Sequence, residues 1–316
     1  MKENITKQLD NTLEKLNLNI SDDFYSGKVR ENYYKGDQIV MVTSDRVSAF
    51  DHILGTIPFK GQILNEIACF WFEKTKDIIP NHFISSPDEQ VLVTKKAKTL
   101  PVEVIVRQYI TGSLWREYKE GINGQYGFML PDNLVENQKF DKPLLTPSTK
   151  AEYGLHDEPI SREKIVDSLV DEDVYSKAEE YALKLFDIGQ QWANKMGLIL
   201  VDTKYEFGIY EGELIVIDEI HTPDSSRYWV ANEYENRFKN NQPQKMLDKE
   251  NIRSWLIERG FKGEGTPPKL SDDIRVLLAE KYIELYKTLL GKEFVPSVGD
   301  VSSRIKSNLT KNGIID

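Results

Sequence analysis

The chain has 316 residues and a formal net charge of −10, from 41 basic and 51 acidic side chains. That balance excludes a general nucleic-acid binder, which needs a basic surplus to neutralise phosphates, yet a local cationic cluster can still hold a small anion. The length suits about two domains, no apolar run approaches a membrane span, and the single cysteine, Cys69, rules out an intrachain disulfide and fits a reducing cytosol.

Residues 1–18 carry Ile5, Leu9, Leu13 and Leu16 at helical spacing among Lys, Glu and Asp. This predicts an amphipathic helix packed on the body and is unlike a signal peptide. Residues 24–33 predict a strand beginning near Gly27. After the Lys35-Gly36-Asp37 turn, residues 38–43 predict its hairpin partner. A short apolar segment at 53–58 precedes a helix over 62–76. Cys69 lies there among Ile63, Ile67, Phe70 and Trp71, as a buried, inert thiol would. Residues 91–96 and 102–109 predict strands, with a hinge at 97–101. Residues 121–160 are rich in Gly, Pro, Asn and Asp, and loops of this length inside a protein are often binding surfaces. Residues 161–196 predict a helix whose stripe includes Ala178, Ala182, Leu185, Phe186 and Trp192. After a hairpin at 199–227, helices are expected at about 246–259 and 271–291, and the last segment, with Ile305 and Leu309, as a short helix or a loose tail.

The hairpin holds the most chemistry. Asp202, Lys204 and Glu206 occupy alternate positions, so a strand projects them onto one face. The second run, 214–220, brings Asp218 and Glu219, and Pro-Asp-Ser-Ser-Arg follows at 223–227. Alternating charges on a hairpin ordinarily mark a solvated face. Here Gly-Leu-Ile-Leu-Val leads into Asp202 and Leu-Ile-Val-Ile into Asp218, so both strands read as mostly buried and the charges need partners or an ion. Register decides whether Glu206 and Asp218 can share a metal. A two-residue Glu211-Gly212 loop pairs Tyr210 with Glu213 and puts the two carboxylates on opposite faces. A three-residue loop or a bulge sets them directly across from each other, and this second register is the expectation.

Four further blocks carry candidate ligands. Ser-Gly-Lys-Val-Arg at 26–30 offers Gly27, Lys28 and Arg30 to a phosphate, although an ordinary hairpin with solvated cations has the same look and neither a Walker A nor a Rossmann pattern is present. Ser-Asp-Arg-Val-Ser-Ala-Phe-Asp at 44–51 suits a capped turn, but Arg46 is hard to explain as turn chemistry and suits a carboxylate or phosphate. Pro-Val-Glu-Val-Ile-Val-Arg at 101–107, then Thr-Gly-Ser at 111–113, sets Arg107 beside a helix start at Ser113, a plausible phosphate site; alone, Ser113 reads as an N-cap. Thr-Pro-Ser-Thr-Lys-Ala-Glu at 146–152 contains Lys150, and His156 follows; alone, both read as surface residues.

Together and in this order, these blocks, with Val-Asp-Thr-Lys-Tyr-Glu-Phe-Gly at 201–208 and the Asp-Glu and Thr-Pro-Asp-Ser-Ser-Arg blocks within 218–227, closely resemble the SAICAR synthetase family in its longer form. The resemblance spans about residues 27–255. It implies a cytoplasmic, ATP-dependent ligase of purine synthesis that joins 5-aminoimidazole-4-carboxylate ribonucleotide (CAIR) to L-aspartate through an acyl phosphate, with Mg2+ as cofactor and neither nucleic acid nor membrane as partner. It implies an α+β fold: an N-terminal antiparallel sheet resembling a kinase small lobe, residues 1–100, followed by an ATP-grasp-like domain with C-terminal helices, residues 101–316. Gly27, Lys28 and Arg30 would lie over the ATP phosphates, the segment at 98–104 with Glu103 by the adenine, and Lys150 would belong to the nucleotide site. Arg107, Ser113, Arg227 and Arg253 would bind the ribonucleotide, with Arg46 and Ser48 as further substrate contacts. Lys204 and Asp202 would be catalytic, and Glu206 and Asp218 would hold the metal. A small-molecule kinase shares these needs without requiring L-aspartate, but the chain lacks a kinase-type His-Arg-Asp loop followed by Asp-Phe-Gly. A nucleotide-binding scaffold without activity is disfavoured by Lys28, Lys204, Glu206 and Asp218.

Overall fold

The computed structural model describes residues 1–20, 23–50, 52–150, 157–247, 250–261 and 263–316, with only the backbone of 250, 251, 253 and 254. Helix α1 (Lys2–Gln8) leads to strands β1 (Phe24–Ser26), β2 (Arg30–Lys35), β3 (Gln38–Thr43), β4 (Arg46–Ala49) and β5 (His52–Thr56), then α2 (Lys60–Thr75), β6 (Phe83–Asp88) and β7 (Val91–Lys95). Next come β8 (Lys98–Tyr109), α3 (Gly112–Lys119), β9 (Lys139–Leu145), β10 (Ser148–Thr149), α4 (Arg162–Ser168) and α5 (Glu172–Lys195). The chain continues through β11 (Leu198–Tyr210), β12 (Glu213–Ile217), β13 (Ser226–Val230), α6 (Ala231–Lys239), α7 (Glu250–Glu258), α8 (Asp272–Leu290) and α9 (Val301–Lys311).

One antiparallel sheet runs β1-β2-β3-β7-β6; a second runs β10-β8-β11-β12, with β9 beside β8 and β13 beside β11; β4 and β5 pair as a separate two-stranded sheet. This is the expected α+β class. Alternation along β8 and β11 positions the site. Val102, Val104 and Val106 of β8, with Tyr205 and Phe207 of β11, enter a core shared with Ala178, Ala182, Leu185 and Phe186 of α5 and Ile63, Ile67 and Trp71 of α2. Each such large apolar side chain contributes about 1.5–3 kcal/mol on burial. The intervening residues, Glu103 and Arg107 on β8 and Lys204 and Glu206 on β11, necessarily leave by the other face.

Several elements differ from the sequence expectation, each for a visible reason. The first helix stops at Gln8, with a 3-10 turn over Leu9–Asn11. The bond that would continue it, from Leu13 N–H to Leu9 C=O, is diverted at both ends: Leu13 N donates to Asp45 Oδ2 at 2.7 Å, and Leu9 O accepts from Arg275 Nη2 at 2.7 Å. Leu13 and Leu16 are still buried, against Val301, Ile305 and Leu309 of α9, so the final segment is a docked helix. Residues 24–33 form two strands, β1 and β2, folded on each other across the Gly27–Val29 turn. The helix expected over 161–196 is broken between α4 and α5, where Asp171 caps α5 by accepting from Asp173 N at 3.0 Å and Val174 N at 3.3 Å. The expected hinge at 97–101 is largely strand, because Gly208 and Ile209 of β11 pair with Thr99 and Lys98.

A buried ion pair ties α2 to the loop before β13: Lys60 Nζ donates to Asp224 Oδ2 at 2.7 Å, with side-chain exposures of 0% and 9%. Removing one member of a buried pair takes the counter-ion from the other charge, at a cost of about 3–5 kcal/mol. Lys60→Met is therefore expected to lower the unfolding free energy in urea by that amount; a loss below about 1 kcal/mol would mean the pair is unimportant to stability.

Candidate active site

The open face of β8 and β11 carries two adjacent charged clusters. In the first, Asp202 is held between two arginines from neighbouring strands, since it pairs in register with both Arg107 and Arg227. Its Oδ2 accepts from Arg227 Nη1 at 2.8 Å and Arg107 Nη1 at 3.2 Å. Arg107 also donates through Nε to Thr146 Oγ1 at 2.9 Å and through Nη2 to Ser113 Oγ at 3.3 Å. Two guanidiniums against one carboxylate leave this corner cationic and suited to a phosphate. Gly112, at φ +62°, lies so close that an added Cβ would sit 2.6 Å from Arg227 Nη2. A cavity of about 760 Å³ opens beside it, lined in part by Thr111, Gly112, Trp115, Arg227 and Trp229.

The second cluster lies farther along the same face. Lys204 Nζ donates to Glu103 Oε1 at 2.5 Å and to Glu206 Oε1 at 2.9 Å, while Lys150 donates to the other oxygen of Glu206. Burial works against the Lys204 charge, but Glu206 and Glu103 outweigh it and hold the ammonium well above the usual lysine range. Lys204 is thus a fixed cation, with 31% of its side chain exposed. Burial also opposes the Glu206 charge, yet Lys204 and Lys150 bring this carboxyl down to about 2. Glu103 and Asp218 go the other way: burial pushes both up despite Lys204 beside one and Arg30 beside the other, and the Glu206 charge adds to the shift.

The hairpin register is not the expected one. Tyr210 pairs with Glu213 and Glu206 with Ile217, the two-residue arrangement. Glu211 at φ +50° and Gly212 at φ +82° both occupy the left-handed region, as a type I′ turn requires. A regular continuation of β12 would have sent Asp218 to the face opposite Glu206. Instead β12 ends at Ile217 and Asp218 adopts φ +64°, which releases it from the alternation. Asp218 then lies within electrostatic reach of Glu206, Lys204 and Lys150. Among the described residues no group of three or more His, Cys, Asp or Glu side chains is arranged to hold a metal ion. Two carboxylates still suit Mg2+, an ion that keeps waters and substrate phosphates among its ligands.

Two arginines differ from their expected roles. Arg30 faces protein carboxylates, not open space: Nη1 donates to Asp218 Oδ1 and Nη2 to Glu219 Oε2, both at 2.5 Å. Arg46 is no direct substrate ligand, being 1% exposed with its guanidinium spent on Gly27 O, Lys28 O, Glu14 O and Glu31. Ser48 stands apart in the β4–β5 hairpin, paired with Ile53. Gly27 and Lys28 occupy the β1–β2 turn. Ser113 is inside α3; the cap position is Thr111, which makes no side-chain cap bond. Arg253 lies on α7, but its side chain is outside the described ones, as are Asp51, Ala151, Glu152 and His156. Thr146, from the Leu-Thr-Pro step before Ser148, takes part through Arg107 without having been assigned a role from the sequence, and Glu219, named there only as one of the hairpin's carboxylates, also takes part. Glu219 accepts from both Arg30 and Thr222 Oγ1, and its place beside Asp218 was the available signal.

Comparison with known proteins gives one consistent result. The SAICAR synthetase family model matches residues 23–269. The phosphoribosylaminoimidazole-succinocarboxamide synthase of Bacteroides fragilis is 47% identical over 291 residues, covering 90% of this chain and 93% of that protein. A solved SAICAR synthase from Saccharomyces cerevisiae, complexed with SAICAR, superposes with a TM-score of 0.78 at 34% identity, covering 90% of this chain and 99% of that one. A SAICAR synthetase solved in complex with ADP gives a TM-score of 0.66 at 27% identity, covering 86% and 100%.

Proposed function

Because the chain belongs to the SAICAR synthetase family, we propose that it joins the carboxylate of CAIR to the amine of L-aspartate, converting ATP to ADP and phosphate in purine biosynthesis. The observation that carries the chemistry is Lys204: an ammonium held well above the usual lysine range on an open sheet face, beside the Arg107–Asp202–Arg227 corner with its surplus positive charge. A carboxylate is a poor electrophile whose charge repels nucleophiles. In the route proposed here, a CAIR carboxylate oxygen attacks the γ-phosphorus and the bond to ADP breaks. The aspartate amine then attacks the acyl carbon, loses a proton, and phosphate departs with that oxygen. Phosphoryl transfer of this kind depends on positioning and charge neutralisation more than on covalent protein chemistry.

Within this reading, Arg107, Ser113 and Arg227, joined by Arg253, take the ribonucleotide phosphate, and Asp202, expected from the family resemblance to be catalytic, instead fixes the two β-strand arginines. Lys204 neutralises the carboxylate being phosphorylated. Gly27 and Lys28 lie over the ATP phosphates, with Lys150 nearby and the 98–104 segment at adenine. Arg30 acts on this site through Asp218 and Glu219. Glu206 and Asp218 would hold Mg2+, which when bound neutralises phosphate charge. A boundary near residue 100 separates the nucleotide-covering part from the substrate part. The Cys69 thiol, pushed up to about 11 by burial, is inert and suits the cytoplasm we assign.

Sustained turnover of ATP to ADP and phosphate should require CAIR and L-aspartate together. Multiple turnovers of ADP with CAIR but without L-aspartate would favour a small-molecule kinase, and no turnover with intact ATP binding would favour a scaffold. Gly112→Ala tests the phosphate corner. Its methyl displaces the Arg227 guanidinium and strains a left-handed position, so KM for CAIR should rise about tenfold, the effect of one weakened charged contact, with KM for ATP unchanged. Unchanged KM for CAIR would remove Arg227 from that role.

A further inference from the structure

The Ser44-Asp45-Arg46 segment backs the β1–β2 turn. Three consecutive carbonyls of the turn point into it. Arg46 Nη2 donates to Gly27 O at 2.9 Å, Arg46 Nε donates to Lys28 O at 2.9 Å, and Val29 O accepts from Ser44 Oγ at 2.7 Å and Ser44 N at 2.9 Å. The clamp is itself anchored. Arg46 also bonds Glu31 and Glu14 O, and Asp45 accepts from Leu13 N at 2.7 Å and Gly61 N at 2.8 Å. A trans peptide sets its N–H opposite its C=O. Turning the Gly27 and Lys28 carbonyls inward therefore turns the Lys28 and Val29 amides outward together, the arrangement by which a backbone turn cradles an anion.

The geometry points to Arg46, assisted by Ser44, as a positioning residue for the nucleotide: it touches no substrate, but it fixes the peptide orientations of the turn that receives the ATP phosphates. This rests on the reading of Gly27 and Lys28 given above. A planar guanidinium suits the task because one fork reaches two successive carbonyls while a third nitrogen neutralises Glu31. A lysine keeps the charge for Glu31 but cannot hold both carbonyls.

The test compares Arg46→Lys and Ser44→Ala with the wild-type full chain, measuring ATP binding by calorimetry and all three KM values. Arg46→Lys should weaken ATP binding and raise KM for ATP about tenfold, the effect of a lost charged hydrogen bond. Ser44→Ala, which retains its backbone bond to Val29 O, should shift both in the same direction by about threefold. KM for CAIR and for L-aspartate should stay within about twofold of wild type, a split that general loosening of the fold would not produce. Should Arg46→Lys fail to fold, Ser44→Ala decides. ATP affinity unchanged in the folded variants, or equal changes in all three KM values, overturns the proposal. A wild type that binds no ATP overturns the underlying reading instead.

Discussion

Lys204→Met is expected to reduce turnover by about a thousandfold while leaving a folded protein, in line with the loss of one preorganised charge from a phosphoryl-transfer site. The side chain is positioned by two carboxylates on adjacent strands, Glu103 and Glu206, and reaches partly into the open. Because Glu206 and Glu103 keep it charged against burial, it does not titrate through the neutral range. It therefore acts as a cation, not as a proton acceptor. Two measurements follow from that distinction. Turnover of Lys204→Met should not recover at high pH, and the wild-type pH profile should show no limb belonging to a lysine below about pH 10, the ordinary lysine value. Turnover within tenfold of wild type would remove Lys204 from the chemistry.

Glu206→Gln is expected to cost about a hundredfold or more in turnover and to raise the Mg2+ concentration needed for half-maximal rate, since a lost metal ligand forfeits several kcal/mol. Glutamine keeps the shape but not the charge, and Lys204 retains Glu103 as a partner. A near-normal rate with an unchanged Mg2+ requirement would refute the role. The pH argument has a definite sign. Glu206 binds its proton more weakly in the folded protein, at about 2, than a free glutamate does. The stability it contributes is fully present above about pH 5 and disappears as pH falls toward 2. Glu103 and Asp218 are shifted upward, so each favours the folded state most when protonated and loses that contribution as pH rises through its folded value. The cluster accordingly holds one firmly ionised carboxylate beside two that gain from added positive charge.

The sequence made some of this plain and hid the rest for physical reasons. Alternation on β11 places Lys204 and Glu206 on one face, and that rule is local. Register across the hairpin is not. It turned on Glu211 accepting a left-handed conformation usually given to Gly or Asn, and on Asp218 leaving the strand by the same device. Helix periodicity identified α2 and α5 but not the end of α1, because Asp45 and Arg275, distant in sequence, take the groups that would have extended it. Arg46 looked like a ligand because an arginine in a Ser-Asp-Arg turn lacks a local explanation. Its explanation is the carbonyls of another turn, which only tertiary structure brings to it.

The most direct test of the central claim uses CAIR labelled with 18O in its carboxylate, with phosphate analysed after turnover in the presence of ATP, Mg2+ and L-aspartate. One labelled oxygen should appear in phosphate for each amide formed, because activation moves one carboxylate oxygen onto the γ-phosphorus. Amide formed with unlabelled phosphate would contradict carboxylate phosphorylation at the Lys204 site.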